Sequence, residues 1–65
     1  MKIYCIKVET LNNLNPTTKI SQEAYNSYEK AVKFCESRED KTIKINNYNW
    51  KSKQNKYTII ELNVL

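Results

Sequence analysis

The sequence predicts an α+β fold: a four-stranded antiparallel sheet with one helix packed on one face, in the order ββαββ. Three observations carry that expectation. Lys2 to Thr10 alternates, with Tyr4, Ile6 and Val8 in one phase and Ile3, Cys5, Lys7 and Glu9 in the other, as a half-buried strand does. Tyr28, Ala31, Val32, Phe34 and Cys35 share one helical arc, opposite Glu29, Lys30, Lys33, Glu36 and Ser37. Thr42 to Trp50 and Tyr57 to Val64 are again strand-like, and the polar stretch Lys51 to Lys56 between them reads as a hairpin loop.

In chain order, the opening strand leads into Leu11 to Pro16, whose three asparagines and single proline are turn composition. Thr17 to Tyr25 returns as a second strand. Ser27 is the expected N-cap of the helix, and Asn26 with Glu29 offers an alternative capping box. Glu29 and Lys33 form an i,i+4 pair worth about 0.3 kcal/mol. Glu39 and Asp40 oppose the C-terminal dipole, so the helix should stop near Arg38. Ala24 and Tyr25 extend the helical periodicity backwards, which leaves an alternative: a longer helix from Ser21 and a βαββ order. In the last strand Ile60, Leu62 and Val64 are expected to face the core with Tyr4, Ile6, Val8 and the helix stripe. Ile43 and Ile45 join them, whereas Lys44, Asn46, Tyr48 and Trp50 share the parity that points away. The chain has no glycine. Asparagine (Asn12, Asn13, Asn15, Asn26, Asn46, Asn47, Asn49, Asn55) is expected where connections need positive φ.

Residues 1–65 are expected to make one small α+β domain, and a chain this short hides only about 60% of the surface its unfolded form exposes. Function is therefore expected on the outer surface. No apolar run approaches the roughly 20 residues that cross a bilayer, so a cytoplasmic protein with no membrane partner is expected. The two cysteines, Cys5 and Cys35, are too few for a disulfide scaffold and read as reduced, buried thiols. Without histidine a four-ligand zinc site is out of reach, and without glycine there is no phosphate-cradling loop. The carboxylates Glu36, Glu39 and Asp40 read as a solvated helix end, and Cys35 lies in an apolar stripe with no activating base. A non-enzyme with no cofactor and no metal is expected.

Charge gives the one functional lead. The first forty residues are balanced, whereas five lysines (Lys41, Lys44, Lys51, Lys53, Lys56) lie between Asp40 and Glu61 with no carboxylate among them, and they account for the net +4. Tyr48, Trp50 and Tyr57 are interleaved with those lysines, and cations beside flat rings suit an anionic, stackable partner. The expected contact residues are Lys44, Tyr48, Trp50, Lys51, Lys53, Lys56 and Tyr57. Two partner classes fit: a host protein or nucleoprotein complex with acidic groups or bound nucleic acid, and single-stranded RNA or DNA itself. In the second case five phosphate contacts would give a log–log salt slope of about −3.5. A third alternative is a homodimer through the open sheet face.

The segments Lys2-Ile3-Tyr4-Cys5-Ile6, Ala24-Tyr25-Asn26-Ser27-Tyr28-Glu29-Lys30-Ala31 and Tyr57-Thr58-Ile59-Ile60-Glu61-Leu62 resemble short phage and prophage proteins of low-GC Gram-positive bacteria. The resemblance spans most of the chain and carries no catalytic signature. This chain departs from it in having a basic segment where acidic residues are common. It implies a ββαββ fold and a phage-type binding protein in the host cytoplasm that inhibits or modifies a host nucleic-acid machine, as an anti-CRISPR or anti-restriction inhibitor does.

Overall fold

The computed structural model describes residues 1–11, 17–21 and 23–64. Two nine-residue strands, β1 (Lys2–Thr10) and β5 (Asn55–Asn63), pair antiparallel along their whole length, from Lys2 opposite Asn63 to Thr10 opposite Asn55. Strand β2 (Thr18–Ile20) adds to the far side of β1. The hairpin of β3 (Ile43–Asn46) and β4 (Asn49–Lys51) adds to the other side of β5. The sheet order is β2-β1-β5-β4-β3, and helix α1 (Tyr28–Glu36) packs on one face. The α+β class holds, with five strands where the sequence predicts four.

The extra strand comes from an asparagine used as a side-chain turn. Asn46 Oδ1 accepts hydrogen bonds from the Tyr48 backbone N–H and the Asn49 side-chain amide, both at 2.9 Å, and folds the chain back at Asn47 and Tyr48. Thr42 to Trp50 is therefore a hairpin and not one strand. The expected loop from Lys51 to Lys56 shrinks to Ser52–Gln54, because β5 begins at Asn55. Positive φ plays no part at the described asparagines; among the described residues it belongs to Lys41, at 52°. The expectations for Asn12, Asn13, Asn15 and Pro16 lie outside the described residues.

Of the strand expected over Thr17 to Tyr25, the described residues show Thr18–Ile20 as strand beside β1 and an isolated bridge at Tyr25. Lys7, Val8 and Glu9 oppose Ile20, Lys19 and Thr18, and Tyr4 and Tyr25 exchange two backbone hydrogen bonds at 2.8 Å. The longer helix from Ser21 is not formed. Ser27 caps α1, its Oγ accepting from the Lys30 backbone N–H at 3.3 Å, and the helix ends at Ser37. Glu29 and Lys33 form no ion pair among the described residues.

Register decides the core. Ile6 faces Ile59, Val8 faces Tyr57, and Trp50 faces Tyr57, so one continuous row lies under the helix residues Ala31 and Cys35. Tyr4, Val8, Tyr25, Tyr28, Val32 and Phe34 pack around that row. Two expectations are overturned here. The inward phase of β5 is Tyr57 and Ile59, while Leu62 and Val64 are exposed. On the neighbouring hairpin Trp50 turns inward and Ile43 and Ile45 outward. An indole offers far more apolar area than an isoleucine, so the phase that buries Trp50 under the helix wins. Lys44, directly opposite Trp50, goes with it to the helix face.

Candidate contact surface at the C-terminal hairpins

The seven expected contact residues divide into three places. Trp50 is 1% exposed and Tyr57 5%, so neither ring can stack on a partner. Both serve the core. The Trp50 indole N–H points to Glu36 Oε2 at 3.4 Å, and the Lys44 ammonium lies 5.9 Å from the Trp50 ring centroid, the outer limit of a cation–π contact. Tyr48 is 44% exposed at the β3–β4 turn and packs edge-on against Tyr28, with centroids 5.7 Å apart. The Tyr28 hydroxyl donates to the Asn47 carbonyl and ties the turn to the helix.

Lys51 and Lys53 lie at the other end of β4. With Lys41, Ile43 and Ile45 they line a surface groove of about 660 Å³, whose remaining wall is Glu39, Asp40 and Ser52. Ile43 is 73% exposed and Ile45 54%. Lys56 stands directly opposite Lys51 on the β4–β5 ladder. Like charges in that position destabilise a sheet, so this pair is a cost the fold carries. Glu9 is the neighbour of Lys56 on the other side, but its carboxylate is paired with Lys7 at 3.4 Å.

The groove wall is fixed by a polar knot that the sequence does not announce. Asp40 Oδ2 accepts from the Ser52 hydroxyl at 2.5 Å, the Tyr57 hydroxyl at 3.0 Å and the Asn55 side-chain amide at 3.3 Å. Ser52 is itself buried, and its Oγ accepts from the Gln54 and Asn55 backbone N–H groups, closing the β4–β5 turn. Desolvation opposes the Asp40 charge, yet the three side-chain hydrogen bonds outweigh it and hold this carboxyl below its ordinary value. Burial, then the Asp40 carboxylate, pushes the Tyr57 hydroxyl up. Next along the chain, the Thr42 hydroxyl donates to the Cys35 carbonyl at 2.6 Å, so the turn from α1 to β3 is tied at both ends of Lys41.

Sequence reasoning finds Lys51 and Lys53 but misses Lys41, Ile43 and Ile45 as groove residues. The usable signal was a short β-branched segment beside an Asn-rich turn, which marks an edge strand as readily as a core one. Burial pushes the Cys35 thiol up to about 11, the opposite of an activated nucleophile. Among the described residues no three His, Cys, Asp or Glu side chains gather as a metal would require, and no helix is long and apolar enough to cross a membrane. Comparison with protein-family models, curated proteins and solved structures finds no match for this chain.

Proposed function

We propose that the protein is a non-catalytic binding protein that attaches its β3–β4 end to a partner presenting acidic groups and acts by occlusion. One observation carries the reading: a groove lined by Ile43 and Ile45 is bordered by Lys41, Lys51 and Lys53, which outnumber Glu39 and Asp40 in the same wall, beside a sheet edge that is unpaired among the described residues. Adjacent apolar and cationic groups suit a protein surface with carboxylates more than a bare nucleic-acid strand. Direct binding of single-stranded RNA or DNA loses support, because it relies on stacking and Trp50 and Tyr57 are sealed in the core. The five lysines are also split between faces, Lys44 lying on the helix face and Lys51 and Lys56 on the opposite one, which gives less support to a single phosphate backbone tracked by all five. The resemblance noted in the sequence makes a host nucleic-acid machine, of the kind met by anti-CRISPR or anti-restriction inhibitors, the target class to try first.

The test is affinity capture with the intact chain and with a Lys41→Glu/Lys51→Glu variant, followed by titration of the purified partner. The reading expects a partner that the variant no longer holds, and only weak binding of labelled single-stranded RNA and DNA. Submicromolar, steeply salt-dependent binding of either nucleic acid would contradict it.

A further inference from the structure

We infer that β3 is a strand-addition edge: an extended partner segment, apolar and acidic at alternate positions, adds to the sheet beside Ile43–Asn46. This deepens the proposed function and rests on it. In the order β2-β1-β5-β4-β3, β3 has β4 on one side and, among the described residues, no strand on the other, which makes it a sheet edge of the kind that presents N–H and C=O groups to a further strand. An added strand supplies those hydrogen bonds and lays alternate side chains on the two sheet faces. Ile43 and Ile45, both mostly exposed beside the groove, offer apolar contact. The edge is only four residues long, so backbone bonds alone give modest affinity and the side chains must set the rest.

Charge selects the occupant. Lys44 lies on the helix face of the edge, while Ile43 and Ile45 share the groove with three lysines and two carboxylates, Glu39 and Asp40. The edge is therefore cationic on balance, and the carboxylate phase of an incoming strand would meet Lys44 while its apolar phase covers the two isoleucines. A second copy of this chain pairing β3 to β3 would bring the lysines of both copies along one seam, and that repulsion opposes it. The same lysines that discourage self-association leave the edge open to an acidic strand. At the far edge of the sheet, β2 offers three exposed residues with Lys19 as their only cation.

The test uses the intact chain, labelled for NMR, and three probes: a short capped peptide alternating glutamate and valine, the same peptide with every backbone nitrogen methylated, and polyglutamate. The inference expects the first peptide to slow amide exchange in β3 but not in β2, and to bind roughly tenfold or more tightly than the methylated form, which keeps the charge and loses the hydrogen bonds. Ile43→Thr, which keeps a β-branched residue at an exposed site, should weaken that peptide several-fold and leave the melting temperature unchanged. Equal binding of the two peptides would overturn strand addition while leaving the acidic-partner reading in place. Silence from both peptides and from polyglutamate would overturn both. Protection of β3 that rises with protein concentration alone would give the edge to a second copy and overturn the inference.

Discussion

Trp50 and Asp40 show how single residues divide scaffold from surface at this end of the chain. The indole is enclosed by the sheet and α1, so Trp50→Ala should cost about 3–5 kcal/mol. A chain of this length has a total stability on the order of 3–10 kcal/mol, so the variant should be largely unfolded in urea concentrations the parent survives. Asp40 carries a pH signature. Its folded carboxyl lies below the ordinary carboxylate value because Ser52, Asn55 and Tyr57 donate to it. The stability it contributes is therefore fully present above about pH 4 and is lost as pH falls through the depressed folded value. Asp40→Ala should remove that acid-limb dependence and cost about 1–3 kcal/mol, because Ser52, Asn55 and Tyr57 lose their shared acceptor and the Ser52 hydroxyl is left with the Asn55 carbonyl at 3.2 Å. Denaturation midpoints between pH 2 and 7, for parent and variant, check both statements.

At the level of elements, the amphipathic stripe of α1, its Ser27 cap, the phase of β1 and the antiparallel return of Thr18–Ile20 beside β1 were all legible in the sequence. Each rests on a local signal: one period, one cap, one polar turn. What was not legible is the phase of β5, where Ile59 and Ile60 fill both alternations equally well and only pairing with Ile6 and Val8 chooses between them. The hairpin inside Thr42 to Trp50 was hidden for a different reason. Asn46 makes its turn with a side-chain oxygen, which leaves the strand-like alternation around it unbroken. The expected roles of Trp50 and the two isoleucines are inverted, and of the three rings expected at the surface site Trp50 and Tyr57 are core while Tyr48 is exposed. The two sheet faces differ in a way thiol chemistry can read. Cys35 is fully buried under α1 and its thiol is pushed up to about 11, whereas Cys5 lies on the uncovered face between Ile3 and Lys7. Native alkylation at mild alkaline pH should add one label, at Cys5, and denaturation should expose the second site. Protection of Cys5 that grows with protein concentration would show a homodimer through the open face.

The whole molecule measures 39 × 21 × 18 Å, and a nine-residue helix is about 14 Å long, so α1 can cover only about a third of the long axis. The rest of the sheet must be finished by long side chains, by turns, or by a partner. Excess charge is concentrated late in the chain: the net +4 originates after Asp40, on β3, β4, β5 and the turns that join them. On the proposed reading this region meets an acidic surface, and the association should weaken as salt screens the lysines. The account depends on the C-terminal hairpins sending Trp50 and Tyr57 inward and setting Lys41, Lys51 and Lys53 around the groove. Trp50 is the single tryptophan, so its fluorescence reads this without interference. The account predicts blue-shifted native emission, shielded from acrylamide and unchanged when polyglutamate is added. Red-shifted emission that acrylamide quenches freely would contradict it.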